Sequence, residues 1–182
     1  YRKFPYWNYR LYDDCRGAII HTQDYNGGKH SEITDATNFW SFFATEPGVS
    51  VHWAIEMSYD YFLYTHKRNS YDNAGGKILG FTNNNRFGLD NAFWEVADKS
   101  INIGTGGGVE TYNDLASLDV VGHEFTHGVT QYAADLIYAH ESGALSESFS
   151  DIFGTSIEFY AQSLYDPSNP GDWLLGEDMW IP

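Results

Sequence analysis

From position 50 onward the apolar residues of this chain recur at helical spacing. Val51, Ala54, Ile55, Tyr59, Phe62 and Leu63 predict a helix over 50–67. The same period returns at Leu118, Val121, Phe125 and Val129, in a stretch without proline. A second helix with one buried stripe is expected there. Ser117 stands at its N-cap, and Asp119 in the first turn suits the helix dipole. Leu145, Phe149, Ile152 and Phe153 mark a third amphipathic helix. Residues 18–22, 77–81 and the stretch around 101–103 read as short strands, with a turn at Asn26-Gly27. Residues 1–45 are rich in aromatics and are broken at Pro5, at Asn26-Gly27-Gly28 and at Asp35. Residues 163–172, with Pro167 and Pro170, read as a loop rather than a linker. No internal repeat is visible, and 1–182 reads as a single domain.

Composition narrows the class. Aromatics make up 18% of the 182 residues, which argues against disorder. No run of 18 apolar residues exists, so no membrane span is expected. The chain has no initiator Met and no charged-then-apolar leader, so it reads as mature or as lacking its upstream part. The charge is uneven. Residues 1–99 hold 10 Lys+Arg and 12 Asp+Glu, net −2, while residues 100–182 hold 13 Asp+Glu and no Lys or Arg, net −13. Carboxylates gathered without cationic side chains repel one another unless protonated or metal-bound. The acidic half is therefore a region where metal ions can take the place of Lys and Arg, and nucleic acid or an anionic membrane is not an expected partner. Cys15 is the only cysteine, so no disulfide can form within the chain.

The candidate chemistry lies on the second helix. His123-Glu124-Phe125-Thr126-His127 reads HExxH. Residues four apart share one face of a helix, so both imidazoles can reach one Zn²⁺. Glu124, one step round, is poorly placed as a ligand and well placed to take a proton from water, the metalloprotease arrangement. Catalytic zinc has three protein ligands and one open position. The HExxHxxGxxH solution fails here, because Thr130 and Ala133 stand where its Gly and third His belong. The remaining candidates are Glu141, Glu147, Glu158, Asp135, Asp151 and His140. Glu147 is preferred, because Asp151 follows it by one turn and can accept the free ring N–H of a ligating His. His52 and His66 read as surface or packing histidines. The glycine run 104–108 is not a phosphate loop, since Val109 occupies a glycine position and no Lys-Ser/Thr follows.

The segments HEFTHGVT and ESGALSESFSDIFGTSIEFYA together resemble the thermolysin-like neutral metalloendopeptidases. In that family 19 residues separate HExxH from the ligand Glu, as they separate His127 from Glu147 here. Asn91-Ala92-Phe93-Trp94 is similar to the family's substrate-binding edge segment, and residues 51–73 resemble its long first helix and following turn. The resemblance implies an α+β fold: a twisted, mostly antiparallel sheet with a long helix, the zinc-binding helix and a following ligand helix. It implies a secreted endopeptidase with Zn²⁺ on His123, His127 and Glu147, Glu124 as base and Tyr138 aiding the oxyanion. Asn91 and the Ala92 backbone would hold a peptide or protein substrate as an added strand. It also implies structural Ca²⁺ at Asp119, Glu158, Asp172 and Glu177. Leu174 replaces a further acidic ligand and Gly171 shifts the spacing to Asn169, another possible oxygen donor, so one ion is expected rather than two.

Two departures from the family pattern carry consequences. Ser146 precedes Glu147 where the family usually has Asn. The seven histidines are 21, 30, 52, 66, 123, 127 and 140, and the family's catalytic His lies in a helical C-terminal lobe beyond position 182. That lobe is the expected partner of this chain, and the isolated chain is expected to bind zinc and cleave peptides poorly. The readings that compete are a zinc-binding interaction domain without catalysis and a zinc aminopeptidase, for which no acidic motif holding a free amine is evident.

Overall fold

The computed structural model describes residues 8–40, 46–107, 114–168 and 171–179. Gly108, Val109, Asn169 and Pro170, singled out in the sequence, lie outside the described residues. The chain runs through β1 (Tyr9–Arg10), β2 (Tyr12–Asp13), β3 (Ile20–Asn26), β4 (Lys29–Glu32), β5 (Thr34–Asp35) and the long helix α1 (Glu46–His66). It continues through β6 (Ile78–Thr82), β7 (Ala92–Glu95), β8 (Ser100–Ile103), α2 (Leu118–Ala133) and α3 (His140–Tyr165), and reaches a 3₁₀ turn at Glu177–Met179. The architecture is α+β. β1 and β5 form a small ladder, and the six-stranded sheet has the order β2-β3-β6-β8-β7 with β4 also on β3. The β2–β3, β3–β4 and β7–β8 pairs are antiparallel. The two central pairs, β3–β6 and β6–β8, are parallel. Antiparallel pairing thus prevails at the margins, while the middle of the sheet is parallel because α1, between β5 and β6, and β7, between β6 and β8, carry the chain back.

Helix α1 packs on the sheet through Val51, Ala54 and Ile55, all essentially inaccessible. Its Phe62 ring stacks on Phe125 of α2 at 5.5 Å, which fixes the two helices together. Val121 and Phe125 are fully buried and Val129 nearly so, so the stripe read from the sequence is the core face of α2. Ser117 does occupy the N-cap position but makes no capping bond, and its hydroxyl is buried without a partner. Asp119 supplies the cap instead: its Oδ1 accepts the Val120 N–H at 2.8 Å.

On α3 the periodicity finds the helix but not its buried face. Leu145, Phe149 and Ile152 are exposed, while Gly143, Ser146, Ser150, Gly154 and Ile157 are buried. Small residues face α2 because the two helices approach to backbone contact. A Cβ on Gly154 would sit 2.5 Å from the Asp119 carbonyl oxygen and 3.2 Å from the His123 nitrogen. Gly122 faces the same crossing, 3.2 Å from the Gly154 Cα on the same construction. Gly154→Ala is therefore expected to destabilise the protein by about 1–3 kcal/mol through overpacking, against a helix propensity that favours Ala. Urea unfolding measures it. An unchanged midpoint would mean that the crossing relaxes without cost.

Candidate functional site

The close crossing brings two turns of α2 against two turns of α3, and the HExxH side chains emerge there. His123 and His127 place their Nε2 atoms 3.0 Å apart. Glu147 of α3 completes a triangle, with Oε2 3.2 Å from His123 Nε2 and Oε1 3.3 Å from His127 Nε2. A tetrahedral zinc with bonds of about 2.0–2.1 Å holds its ligand atoms about 3.3 Å apart. The two ring nitrogens and the two Glu147 oxygens are thus gathered at spacings close to those around such an ion. Among the described residues this is one of three clusters with the composition for a metal. Of the sequence candidates, Glu147 is brought to the histidines.

The second nitrogens of the two imidazoles are also held, by different partners. His123 Nδ1 is 2.9 Å from Asp151 Oδ1, one turn beyond Glu147 as the spacing predicts. His127 Nδ1 lies 3.3 Å from Ser146 Oγ and 3.2 Å from Ser150 Oγ. Burial lowers the pKa of His127, helped by the neighbouring His123, so the ring is neutral and free to offer a lone pair.

Glu124 is 6% exposed. Burial first, and then the charge of Glu147, push its carboxyl up to about 8, while a backbone hydrogen bond from Trp94 opposes the rise. The edge segment Asn91-Ala92-Phe93-Trp94 includes Trp94, but its contacts with α2 are not legible in the motif. It lies on β7 and engages one face of α2 at three levels. Besides the bond to Glu124, its ring leaves no room for a Cβ at Gly128 (2.9 Å), and its indole N–H donates to Gln131 Oε1 at 2.9 Å. The strand is thereby fixed to the helix carrying the base.

Strand β7 ends the sheet, pairing only with β8 among the described strands. Asn91, Ala92, Phe93 and Trp94 line a cavity of about 690 Å³ whose far wall holds His123, Glu124, His127 and Glu147. A strand edge left open by the described residues beside a buried carboxyl is a geometry for an extended peptide. Tyr138 is 71% exposed, on the loop between α2 and α3, and this excludes helix packing as its role. Its hydroxyl donates to Glu147 Oε1 at 2.5 Å, and that bond is the main reason its pKa is pushed up to about 12. Asp135 and His140, flanking that loop, have positive φ (47° and 52°) and do not join the ligand triangle. His52 and His66 lie elsewhere: His52 Nδ1 meets Thr22 Oγ1 at 2.9 Å, and His66 Nε2 meets Tyr61 OH at 3.2 Å.

A second acidic cluster lies at the base of α3. Ligand oxygens of Glu158, Glu177 and Asp178 fall within 4.8 Å of one another. Glu158 Oε2 and Glu177 Oε2 are buried without a partner. Burial, then Asp119, Glu177, Asp172 and Asp178, raise Glu158 to about 7. The cluster differs from the sequence expectation in two ways. Asp178 belongs to it, and Asp119 and Asp172 stand beside it with oxygens engaged by the backbone. Gly176 N–H donates to Asp119 Oδ2 at 2.5 Å, and Leu174 N–H donates to Asp172 Oδ1 at 2.6 Å. Cys15, far from both sites in sequence, is free and exposed.

Comparison with known proteins gives a consistent result. Residues 6–131 match the sequence model of the thermolysin metallopeptidase catalytic domain, and residues 134–182 match that of the thermolysin metallopeptidase alpha-helical domain, which takes in α3. The chain is 38% identical to the thermostable neutral protease of Geobacillus stearothermophilus, over 97% of this chain and 31% of the relative. It is 39% identical to bacillolysin of Bacillus cereus, over 96% of this chain and 30% of the relative. It thus spans about a third of the length of these curated relatives. A solved structure, the precursor of protealysin, a metalloproteinase from Serratia proteamaculans, superposes with a TM-score of 0.69. It is 31% identical and covers 90% of this chain and 50% of that one.

Proposed function

The chain belongs to the thermolysin metallopeptidase family, and on that premise we propose that it carries the metal site of a secreted zinc-dependent endopeptidase. The observation that supports this most directly is the triangle of His123, His127 and Glu147 beside buried Glu124, opposite an unpaired strand edge. Bound there, zinc would polarise the substrate carbonyl and make water acidic enough to attack near neutral pH. The chain's own residues would do the rest. The Ala92 backbone on β7, with the Asn91 side chain, would hold the substrate extended. Glu124 takes a proton from the attacking water on its carboxylate and hands it to the leaving amide nitrogen. Burial and Glu147 raise this carboxyl and a cation bound beside it would lower it again, so that it can be ionised when it takes the proton and can return it afterwards. Tyr138 reaches the same wall and would donate its hydroxyl to the developing oxyanion.

The protein as purified is expected to hold about one Zn²⁺ per chain and, with whatever lobe completes it, to cleave casein in a chelator-sensitive way. Zinc without internal cleavage would favour a binding domain, and stepwise release of N-terminal residues would favour an aminopeptidase. Absence of stoichiometric zinc would overturn the reading. Asp151→Asn is expected to weaken zinc binding about 10–100-fold without abolishing it, because it spoils the acceptor for His123 Nδ1–H. Unchanged affinity would return Asp151 to a solvated position.

At the second cluster the fitting cofactor is Ca²⁺. Two orphaned buried carboxylate oxygens in a half-chain with no Lys or Arg suit a hard cation with six to eight oxygen ligands. Glu158, Glu177 and Asp178 would supply the core of the site, with Asp119 and Asp172 shaping its loop. One ion is proposed, tying α3 to the segment after it.

A further inference from the structure

The proposed zinc site leaves one feature without a role. His123 has a carboxylate behind it, whereas His127 has two hydroxyls. Ser146 and Ser150 stand four apart on the face of α3 that packs against α2, 5% and 0% exposed respectively. Both oxygens lie within reach of the same nitrogen, His127 Nδ1, at 3.3 and 3.2 Å. If His127 offers Nε2 to a metal, Nδ1 must carry the proton, and a buried N–H needs an acceptor. Two acceptors at equal and slightly long distances are the geometry of a shared, three-centre hydrogen bond.

The plain account of these serines is size. The α2–α3 crossing admits only small side chains, as Gly122 and Gly154 demonstrate. Size explains why 146 and 150 are not Leu, but alanine would satisfy it equally well. It does not explain why each position carries a hydroxyl turned to the same ring atom. We propose that Ser146 and Ser150 act together as a positioning pair for His127, sharing its Nδ1–H so that Nε2 faces the metal. The inference rests on the zinc reading of this site. It goes beyond that reading by assigning the two ligating histidines unequal supports: an ionic one from Asp151 and a neutral, redundant one from the serine pair. Because the proton is shared, either hydroxyl can hold the ring alone at some loss of precision, and losing both leaves a buried N–H unpaired and the imidazole free to turn.

The test compares zinc affinities by chelator competition in wild type, Ser146→Ala, Ser150→Ala and the double variant. Each single change is expected to weaken binding less than about threefold, and the double change about 10–100-fold. The double effect should exceed the product of the two single effects. Thermal unfolding of the zinc-free proteins is the control for packing. A role in size alone predicts unchanged zinc affinity, because alanine fits wherever serine does. A double variant that binds zinc within twofold of wild type overturns the proposal. So does one single change that reproduces the whole double effect, since the bond would then not be shared. Should the double variant fail to fold, the Nδ1–H resonance of His127 in the zinc-loaded single variants decides. It is expected to move in both, and an unmoved resonance in either overturns the pairing. Failure of wild type to bind zinc at all would instead count against the zinc reading itself.

Discussion

Replacing Glu124 by glutamine is expected to leave zinc bound and, in the full-length enzyme, to cut peptide hydrolysis by a factor of about 10²–10⁴, one of the two largest effects anticipated for this protein. The separation follows from position on the helix. His123 and His127 share one face and meet Glu147 through their Nε2 atoms, whereas Glu124 points into the buried space under β7. Glutamine keeps the shape and can still accept the Trp94 backbone hydrogen bond, but it cannot take a proton. His127→Ala removes a corner of the ligand triangle and is expected to abolish stoichiometric zinc. The two variants thus dissociate metal binding from turnover, and metal analysis beside a casein assay reads both. An active Glu124→Gln enzyme would show that the base lies elsewhere. Zinc retained in His127→Ala would show that the triangle is not the site.

Much of this site was legible before any coordinates. HExxH carries its geometry in its spacing, because a helix converts four residues of sequence into one face. Asp151 was found by the same rule applied to the next helix. What escaped depends on tertiary approach. Nothing local marks Trp94 as the residue that reads Glu124, Gly128 and Gln131 at once, or Gly154 as the point where two backbones touch. Likewise Ser150 is one small residue among several until α3 lies against His127. The apolar stripe of α3 misleads for a related reason. Periodicity reports where apolar residues lie, and here the face that packs on α2 was chosen for smallness instead. In the sheet, β3, β6 and β8 were read because buried strands are apolar runs. β1, β2, β4 and β5 are two to four residues long, too short for alternation to show, and β7 was identified only through its resemblance to a substrate-binding edge.

The acidic cluster at the base of α3 yields the other large effect. Without calcium, the cluster's own contribution to stability is expected to fall as pH rises from about 4.5 to about 7, and calcium should restore it. Glu158 has an ordinary pKa of 4.5 and is raised to about 7 in the fold, first by burial and then by Asp119, Glu177, Asp172 and Asp178. Glu177 is raised for similar reasons. Between those two values the folded state holds protons that the unfolded state has released. The contribution of Glu158 and Glu177 therefore falls with rising pH across that window, while the lowered pKa values of His52 and His127 contribute in the opposite direction. Below it both states are protonated and there is no penalty, and above it the penalty is complete. A cation bound by Glu158, Glu177 and Asp178 removes the repulsion and satisfies the two orphaned oxygens. Calcium should therefore stabilise more at pH 7 than at pH 5, where protons compete for the same carboxylates. At free calcium about 1,000-fold above Kd the gain is about 4 kcal/mol, or about 8–16 °C in Tm for a chain of this size. Melting with excess calcium and with a calcium-selective chelator, at both pH values, measures it. Glu158→Gln should flatten the pH dependence in chelator and lower the calcium response at pH 7. A Tm at pH 7 indifferent to calcium would remove the cation from this cluster, and a Glu158→Gln protein with the same pH dependence in chelator as wild type would remove the electrostatic argument for it.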